Sequence, residues 1–425
     1  MFWMNLDGKR IGIWGMGREG VAAKKALEIH CPNAHVIDIG EENTGDISGC
    51  DVLVKSPGVS LYRTEIQKAL QEGVIVTSGT NLFFANKSPK TRVIAVTGTK
   101  GKSTTSSLLA HTLKTLGQSV ELGGNIGRPL LDIVDEQVDW VVAEMSSYQC
   151  ADFIGKPDIG VLVNLYPEHL QWHGTHKQYY GDKVHMINQC ETVVLNAMDS
   201  QTKEMSIEAK EVRFFNEMEG IHLQEGVFYD GNTSLFDQKK LSLEGDHNAE
   251  NACAVLTVIQ LLGLPLKACE TALQSFRALP HRLQHIGEKD GVVYVDDSIS
   301  TTPETAVAAL KAFSKGQVIT LIAGGLERGQ DYTILVEYMN QYKETMQLVT
   351  LPDTGKRLAL QAQSAGIKTS PTSDMPTAVS IAQHITPAGG TILLSPAAPS
   401  YNLYPNFEAR GNDFKKWALG MEEKV

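Results

Sequence analysis

The sequence predicts an α/β protein of two or three domains built on parallel sheets. Three observations carry this. Short apolar runs rich in β-branched residues, such as Val93–Val96, Trp140–Ala143 and Ile159–Asn164, alternate with helical patterns, as buried parallel strands require. Glycine turns follow several such runs, at Gly15–Gly20, Gly98–Gly101 and Gly324–Gly325. At 425 residues the chain is also too long for one ordinary core.

Composition narrows the function. With 42% hydrophobic and 20% charged residues the chain is globular. Its net charge of −11 speaks against nucleic acid as a partner, because phosphate backbones need a basic face. An acidic protein that handles nucleotides must concentrate positive charge locally and usually needs Mg²⁺. The six cysteines (Cys31, Cys50, Cys150, Cys190, Cys253, Cys269) form no CxxC and read as free thiols of a reducing cytoplasm. MFWMNLDGKR lacks a basic segment followed by an apolar one, so no secretory leader is expected. No apolar run reaches the roughly 18 residues of a membrane span. A cytoplasmic monomer is the expectation.

Residues 1–90 read as a small Rossmann-like unit. The strand Arg10–Trp14 runs into Gly15-Met16-Gly17-Arg18-Glu19-Gly20, a G-x-G-x-x-G turn that opens a helix. A second strand, His35–Ile39, puts Asp38 about 20 residues on, where a dinucleotide fingerprint has its ribose-binding acid. An ordinary close-packed βα turn fits the same residues. Asp51–Lys55 leads into Ser56-Pro57-Gly58, and Val74–Thr77 is a further strand. The unit is short for a complete dinucleotide site.

Residues 91–279 read as a central domain with a parallel sheet. Its key is RVIAVTGTKGKSTT, Arg92 to Thr105: strand, glycine turn, Gly-Lys-Ser, helix. Backbone N–H groups of Gly98, Thr99, Lys100 and Gly101 suit a phosphate chain. Lys102 would reach the outer phosphates, and the hydroxyl of Ser103 or Thr104 would meet Mg²⁺. The common P-loop has a further glycine where this chain has Val96. Gly123–Gly127 is a flexible loop. Strands Trp140–Ala143, Ile159–Asn164 and Val193–Asn196 follow, and Glu144, Asn164 and His169 fall at or near carboxyl ends, where ligands of parallel sheets collect. Glu144 suits Mg²⁺ as a hard oxygen donor, and equally suits a surface strand end. Residues 203–243 read as an antiparallel β insertion. Asp246-His247-Asn248 opens a helix, with Asn248 a natural cap.

Residues 280–425 read as a third α/β unit, entered at Leu279-Pro280-His281-Arg282 because proline ends the preceding helix. Its strands are Val292–Asp296, leading to Asp297-Ser298, then Gln317–Ile322, Leu348–Leu351 and Thr391–Leu394.

Taken in order, these motifs resemble the Mur ligases of peptidoglycan synthesis, most closely the MurD branch, which adds glutamate to UDP-N-acetylmuramoyl-L-alanine. The carriers are Thr97–Thr104, Gly123–Gly127, Glu144–Gln149, Glu168-His169, Asp246–Asn251, Leu279–Arg282, Asp296–Ser298, and S-P-A-A-P-S with N-F-E-x-R-G near the end. The resemblance implies three domains: a UDP-binding one, a central ATPase and a C-terminal one that closes over the nucleotide. It gives the first glycine turn to the UDP substrate rather than NAD, with Gly17, Asp38, Ser56, Pro57, Gly58 and Asn125 as substrate contacts. It gives Lys102, His169 and Lys183 catalytic roles. Two Mg²⁺ sites would use Ser103, Glu144, His169 and a carbamylated Lys183. ATP would meet Gly98–Thr104, Asn248, Asn251, Arg282 and Asp297. Glutamate would meet Thr301, Ser400 and Phe407.

Departures from the branch pattern fall on the amino-acid site. D-S-K-A-T-N becomes Asp297-Ser298-Ile299-Ser300-Thr301-Thr302, so a cation toward the glutamate carboxylates is replaced by Ile299. Gly324-Gly325-Leu326-Glu327-Arg328 carries Arg for Lys, and Tyr401 stands where Leu is common. Both hands of glutamate stay open. Ile299 favours a subgroup that adds L-glutamate and relies on a partner epimerase. Other readings are a different amino-acid ligase of this fold, a folylpolyglutamate synthetase, a nucleotide switch, or a Rossmann oxidoreductase. The switch would not need Glu144, His169, Lys183 and Asp297 together, and the oxidoreductase leaves the phosphate loop unexplained.

Overall fold

The computed structural model describes residues 3–39, 47, 49–166, 170–243, 245–277, 280–313, 316–327 and 329–420. The chain divides into two compact units, Met1–Arg277 and Ala278–Val425.

The first unit holds two sheets. In the smaller, the parallel strands run in the order His35–Ile39, Arg10–Trp14, Val52–Lys55, Ile75–Ser78. The helix Arg18–His30 starts at Gly17 directly after the first strand, and buries Ala22, Ala23, Ala26 and Leu27. The larger sheet has nine strands among the described residues. At its heart Arg92–Thr97 lies between Trp140–Glu144 and Ile159–Leu162, parallel to both. Val93 to Val96 are wholly buried because helices cover both faces, which is why the run reads as continuously apolar.

Residues 203–243 differ from expectation. The strand Glu211–Phe215 pairs in parallel with Thr192–Asn196, and antiparallel pairing begins only between Ile221–Gln224 and Val227–Asp230. A short helix, Ser200–Glu204, returns the chain to the starting edge, so one more parallel strand joins before the hairpins extend the sheet. The segment is a continuation of the central sheet.

The two sheets of this unit share one core. Ile11, Ile13 and Leu27 of the first segment cluster with Leu82, Phe83, Leu130, Ala143, Leu162 and Tyr179. A buried ion pair lies in the same unit: Lys55 Nζ sits 3.0 Å from Asp152, with the lysine side chain wholly buried.

The second unit is a six-stranded sheet, Gln284–Lys289, Val292–Asp296, Thr391–Leu394, Ile319–Gly325, Met346–Asp353, Thr369–Pro371, parallel except for the first pairing. The sequence did not announce its first and last strands: Gln284–Lys289 is a half-exposed edge, and Thr369–Pro371 spans three residues and carries a proline.

The shared core gives a stability test. Leu82→Ala removes a fully buried side chain and should cost about 2–5 kcal/mol. Hydrogen exchange should show strands Arg10–Trp14 and Arg92–Thr97 losing protection together, while the six-stranded sheet keeps its own.

Candidate functional site

The phosphate loop leaves the carboxyl end of the strand Arg92–Thr97. Gly98 has φ +149°, and a Cβ there would meet Asn164 backbone atoms and Val163 at 3.1–3.3 Å. Gly101, at φ +78°, caps the helix Lys102–Thr115, and its Cβ would lie 2.5 Å from Asn251 Oδ1. Both positions therefore need glycine, for conformation and for space. The loop is tied from both sides. Asn164 Oδ1 accepts from the Lys100 N–H (2.8 Å), and its amide donates to the Lys100 carbonyl (3.1 Å). The Thr99 hydroxyl meets Tyr166 N–H (2.9 Å) and Tyr179 Oη (3.0 Å). Lys102 Nζ curls back onto the Thr99 carbonyl at 2.9 Å.

Lys183 reaches the same loop from the helix His176–Ile187. Its buried Nζ donates to the Gly98 carbonyl (2.8 Å) and lies 5.0 Å from the Tyr179 ring centre. Two ammonium groups thus converge on this turn, the local positive charge that an acidic protein needs there.

Glu144 lies opposite Val96 in the sheet register, and no part of it is exposed. Its Oε1 accepts from Asn125 Nδ2 at 2.6 Å. Oε2 is buried and has no hydrogen-bond partner. A buried carboxylate oxygen left unpaired is costly in a finished fold. Beside a phosphate loop it fits a hard cation. Ser103 is buried in the first turn of the following helix. His169 lies outside the described residues, as do Glu168, Leu279 and Arg328. Among the described residues no three His, Cys, Asp or Glu side chains form a metal cluster. Asn251 packs against Gly101 and lies 3.5 Å from Asn248 Oδ1, so the Asp246 helix abuts the loop. Thr104, half-buried, follows Ser103 on the loop's helix.

The expected UDP residues share the carboxyl edge of the small sheet. Gly17 is exposed with open space above it, and Ser56 Oγ donates to the Gly15 carbonyl, joining the two turns. Pro57 is half-buried and Gly58 is exposed beside it. Asp38 is held by Lys24 at 3.0 Å. Asn125 stands apart from this edge, on Glu144. Arg18 bridges the gap by donating to the Gly127 carbonyl.

In the second unit, burial pushes the Asp297 carboxyl up to about 6, against the opposing pull of Ser300, Ser395, the Leu283 N–H and Arg282. Ser300 Oγ (2.5 Å) and Ser395 Oγ (2.7 Å) both donate to its Oδ2. Arg282 is exposed, Thr301 half-buried and Ser400 buried. Phe407 heads the last helix, and its carbonyl accepts from Ser298 Oγ at 2.8 Å.

Residues 96–259 match the family model for the Mur ligase middle domain, and residues 281–398 that for the Mur ligase glutamate ligase domain. The chain is 38% identical over 451 residues to the UDP-N-acetylmuramoyl-L-alanine--L-glutamate ligase of Xanthomonas campestris pv. campestris, covering 97% of this chain and 96% of that protein. The chain belongs to the Mur ligase family. A ligase of the same name from Xylella fastidiosa (strain Temecula1) is 35% identical over 446 residues, covering 96% of this chain and 95% of that protein. The MurF ligase of Thermotoga maritima, solved in complex with ADP, has a TM-score of 0.56 at 18% identity, covering 98% of this chain and 96% of that chain. At that identity the likeness speaks for the fold. As a Mur ligase the chain is an ATP-dependent ligase of peptidoglycan synthesis.

Sequence reasoning gave no role to several residues that hold these positions within each unit. Asn164 was visible only as a polar residue at a strand end, although it holds both faces of the Lys100 peptide. Tyr179 precedes Lys183 by one helical turn, a Y-x-x-x-K spacing visible in the sequence that carried no role for the tyrosine. Arg410 is 1% exposed, and donates to Ser298 and to the Ala398 carbonyl, tying the S-P-A-A-P-S loop to the strand end at Ser298.

Asp297 makes a pH prediction. A carboxyl raised from 3.8 to about 6 on folding contributes stability that is full below pH 3.8 and lost as pH rises through 6, a change of roughly 3 kcal/mol. Denaturant unfolding of the second unit at pH 4 to 7 should show this decline, and Asp297→Asn should flatten it.

Proposed function

We propose that the chain joins L-glutamate to UDP-N-acetylmuramoyl-L-alanine, giving ADP and phosphate. The observation that carries this is the unpaired Glu144 Oε2 beside a phosphate loop that bears Lys102 and is met by Lys183 from a neighbouring helix. The substrates follow from whole-length likeness to ligases of that name. On this reading the three sheets belong to a UDP-binding domain (1–90), an ATP-binding domain (91–279) and a C-terminal domain (280–425).

A carboxylate is a poor electrophile. The γ-phosphoryl group of ATP passes to the alanyl carboxylate and ADP leaves. The glutamate amine attacks the acyl phosphate, loses a proton, and the tetrahedral intermediate expels phosphate. Catalysis then consists of holding the carboxylate in line and neutralising anions. Lys102, whose Nζ bonds the Thr99 carbonyl here, would follow charge onto the γ-phosphate. The loop N–H groups orient the phosphate chain, with Asn164 fixing the Lys100 peptide. Asn248 and Asn251 would face the nucleoside, and the family resemblance gives Arg282 and Asp297 to ATP as well. Glu144 and Ser103 would hold Mg²⁺, which neutralises phosphate charge when bound; His169 and a carbamylated Lys183 would serve a second ion. The Lys183 carbamate would form from its neutral amine and CO₂ with release of a proton.

For the hand of glutamate, two observations favour L: the names of the curated relatives, and Ile299 in place of a cation. Ser400, Thr301 and Phe407 would line that site. An L-glutamyl product requires a later inversion at the glutamyl Cα, hence a partner epimerase, if a D-glutamyl peptide is the end product.

Phosphate release with UDP-N-acetylmuramoyl-L-alanine, ATP and Mg²⁺ should depend on L-glutamate. Turnover with neither isomer would remove this reading, and a preference for D-glutamate would remove its L assignment. Lys183→Ala should lower turnover on the order of 100-fold or more, the scale of losing one electrostatic catalytic group. A short carboxylic acid such as acetate should restore part of it. Undiminished turnover in Lys183→Ala would rule out the carbamate.

A further inference from the structure

A polar network, buried at Asp182 and His173 and exposed at Tyr62 and Gln178, joins the two sheets of the first unit, and no step above uses it. The loop that follows Ser56-Pro57-Gly58 leaves the small sheet and lies against the segment before Lys183. Ser60 Oγ donates to the Trp172 carbonyl at 3.3 Å. Tyr62 packs edge-on against Trp172, with ring centres 5.6 Å apart. Its hydroxyl donates to Asp182 Oδ1 at 2.6 Å. Gln178 Nε2 donates to Asp182 Oδ1 at 2.7 Å and to Tyr62 Oη at 2.8 Å. The other Asp182 oxygen accepts from His173 Nδ1 at 2.5 Å. His173 Nε2 then meets Ser147 Oγ at 3.0 Å.

The chemistry fixes the sense of the chain. Asp182, 3% exposed, takes charge-assisted bonds on both oxygens, so it is held as an acceptor. His173, 4% exposed, must carry its proton on Nδ1 to bond Asp182. In the neutral ring Nε2 is then an acceptor, and Ser147 donates to it. Asp182 precedes Lys183 on one rigid helix, and Lys183 grips the Gly98 carbonyl of the phosphate loop. Ser147 begins the helix just past Glu144. One network therefore touches the loop assigned to the UDP substrate, the helix carrying Lys183 and the chain leaving Glu144.

We propose that Tyr62, Asp182 and His173 are positioning residues that couple occupancy of the UDP-substrate loop to the geometry of the ATP phosphate loop. The proposal rests on the substrate reading above. Ligand on the Ser56–Gly58 turn orders the loop bearing Tyr62. The Tyr62 hydroxyl then holds Asp182, and with it the helix register that aims Lys183 at Gly98. Coupling of this kind is reciprocal and typically changes affinity about 5- to 150-fold. A network that served only as structural glue would affect stability and leave coupling between ligands untouched.

The test is calorimetric titration of UDP-N-acetylmuramoyl-L-alanine into the full chain, with and without a non-hydrolysable ATP analogue and Mg²⁺. The wild-type affinity should change about 5-fold or more with nucleotide present. Tyr62→Phe keeps the ring against Trp172 and removes one hydroxyl. It should bind each ligand alone within about 2-fold of wild type and lose the coupling. Asp182→Asn should lose it too, and the double variant should be no worse than Asp182→Asn. Gln178→Ala, at the exposed end of the network, supplies a milder break if Asp182→Asn does not fold. A wild-type ratio near one, or full coupling retained in Tyr62→Phe, overturns the proposal while leaving the substrate reading intact. Failure of wild type to bind the UDP substrate at all overturns both.

Discussion

The pair of hydrogen bonds between Asn164 and the Lys100 peptide is the constraint on which the site depends. A phosphate loop must hold its N–H groups in a conformation that no regular element supplies. Here glycines at 98 and 101 make that conformation accessible, and neighbouring side chains make it the one adopted. Asn164 holds the turn from the adjacent strand, Tyr179 and Lys183 from a helix, and Asn251 from another. The loop is short of one glycine relative to the common P-loop, and this surrounding clamp is where its rigidity comes from.

Charge is handled in the same economical way. The chain is acidic, at −11 overall, yet Lys102 and Lys183 both end on carbonyls of the phosphate turn. Glu144 is the complement: a buried carboxylate with one oxygen committed to Asn125 and the other without a partner. Such an arrangement is costly, and a cation bound there would share the cost. The second unit shows a related tension at Asp297, where burial raises the proton affinity that two serines and a backbone N–H work to lower.

The core shared by the small and central sheets gives the first unit its mechanical character. Leu82, Phe83, Leu130 and Tyr179 belong to one cluster with Ile11 and Ile13. Polar contacts follow the same seam: Lys55 with Asp152, Asn81 with the Asp152 carbonyl, and Tyr62 with Asp182. A seam both packed and hydrogen-bonded resists sliding, because interdigitated cores have discrete rather than continuous alternatives.

Much of this was legible before any coordinates. Fully buried strands such as Val93–Val96 announce themselves by continuous β-branched runs, and a strand followed by Gly-x-x-Gly-Lys-Ser can hardly be anything but an anion-binding turn. The half-exposed edge Gln284–Lys289 and the short Thr369–Pro371 escaped, because partial burial and brevity erase periodicity. The parallel course of Glu211–Phe215 escaped for another reason: direction depends on the path between strands, and a five-residue helix sets it here. At the phosphate loop, the sequence determined the chemistry on offer, through Lys102, Ser103 and Glu144 and the intervals between them. Tertiary structure alone decided which groups are paired. Asn164 and Lys100 lie 64 residues apart, and Tyr62 and Asp182 lie 120 apart. Local sequence carries no record of such meetings, because they are set by the order of strands in a sheet and by the packing of helices upon it.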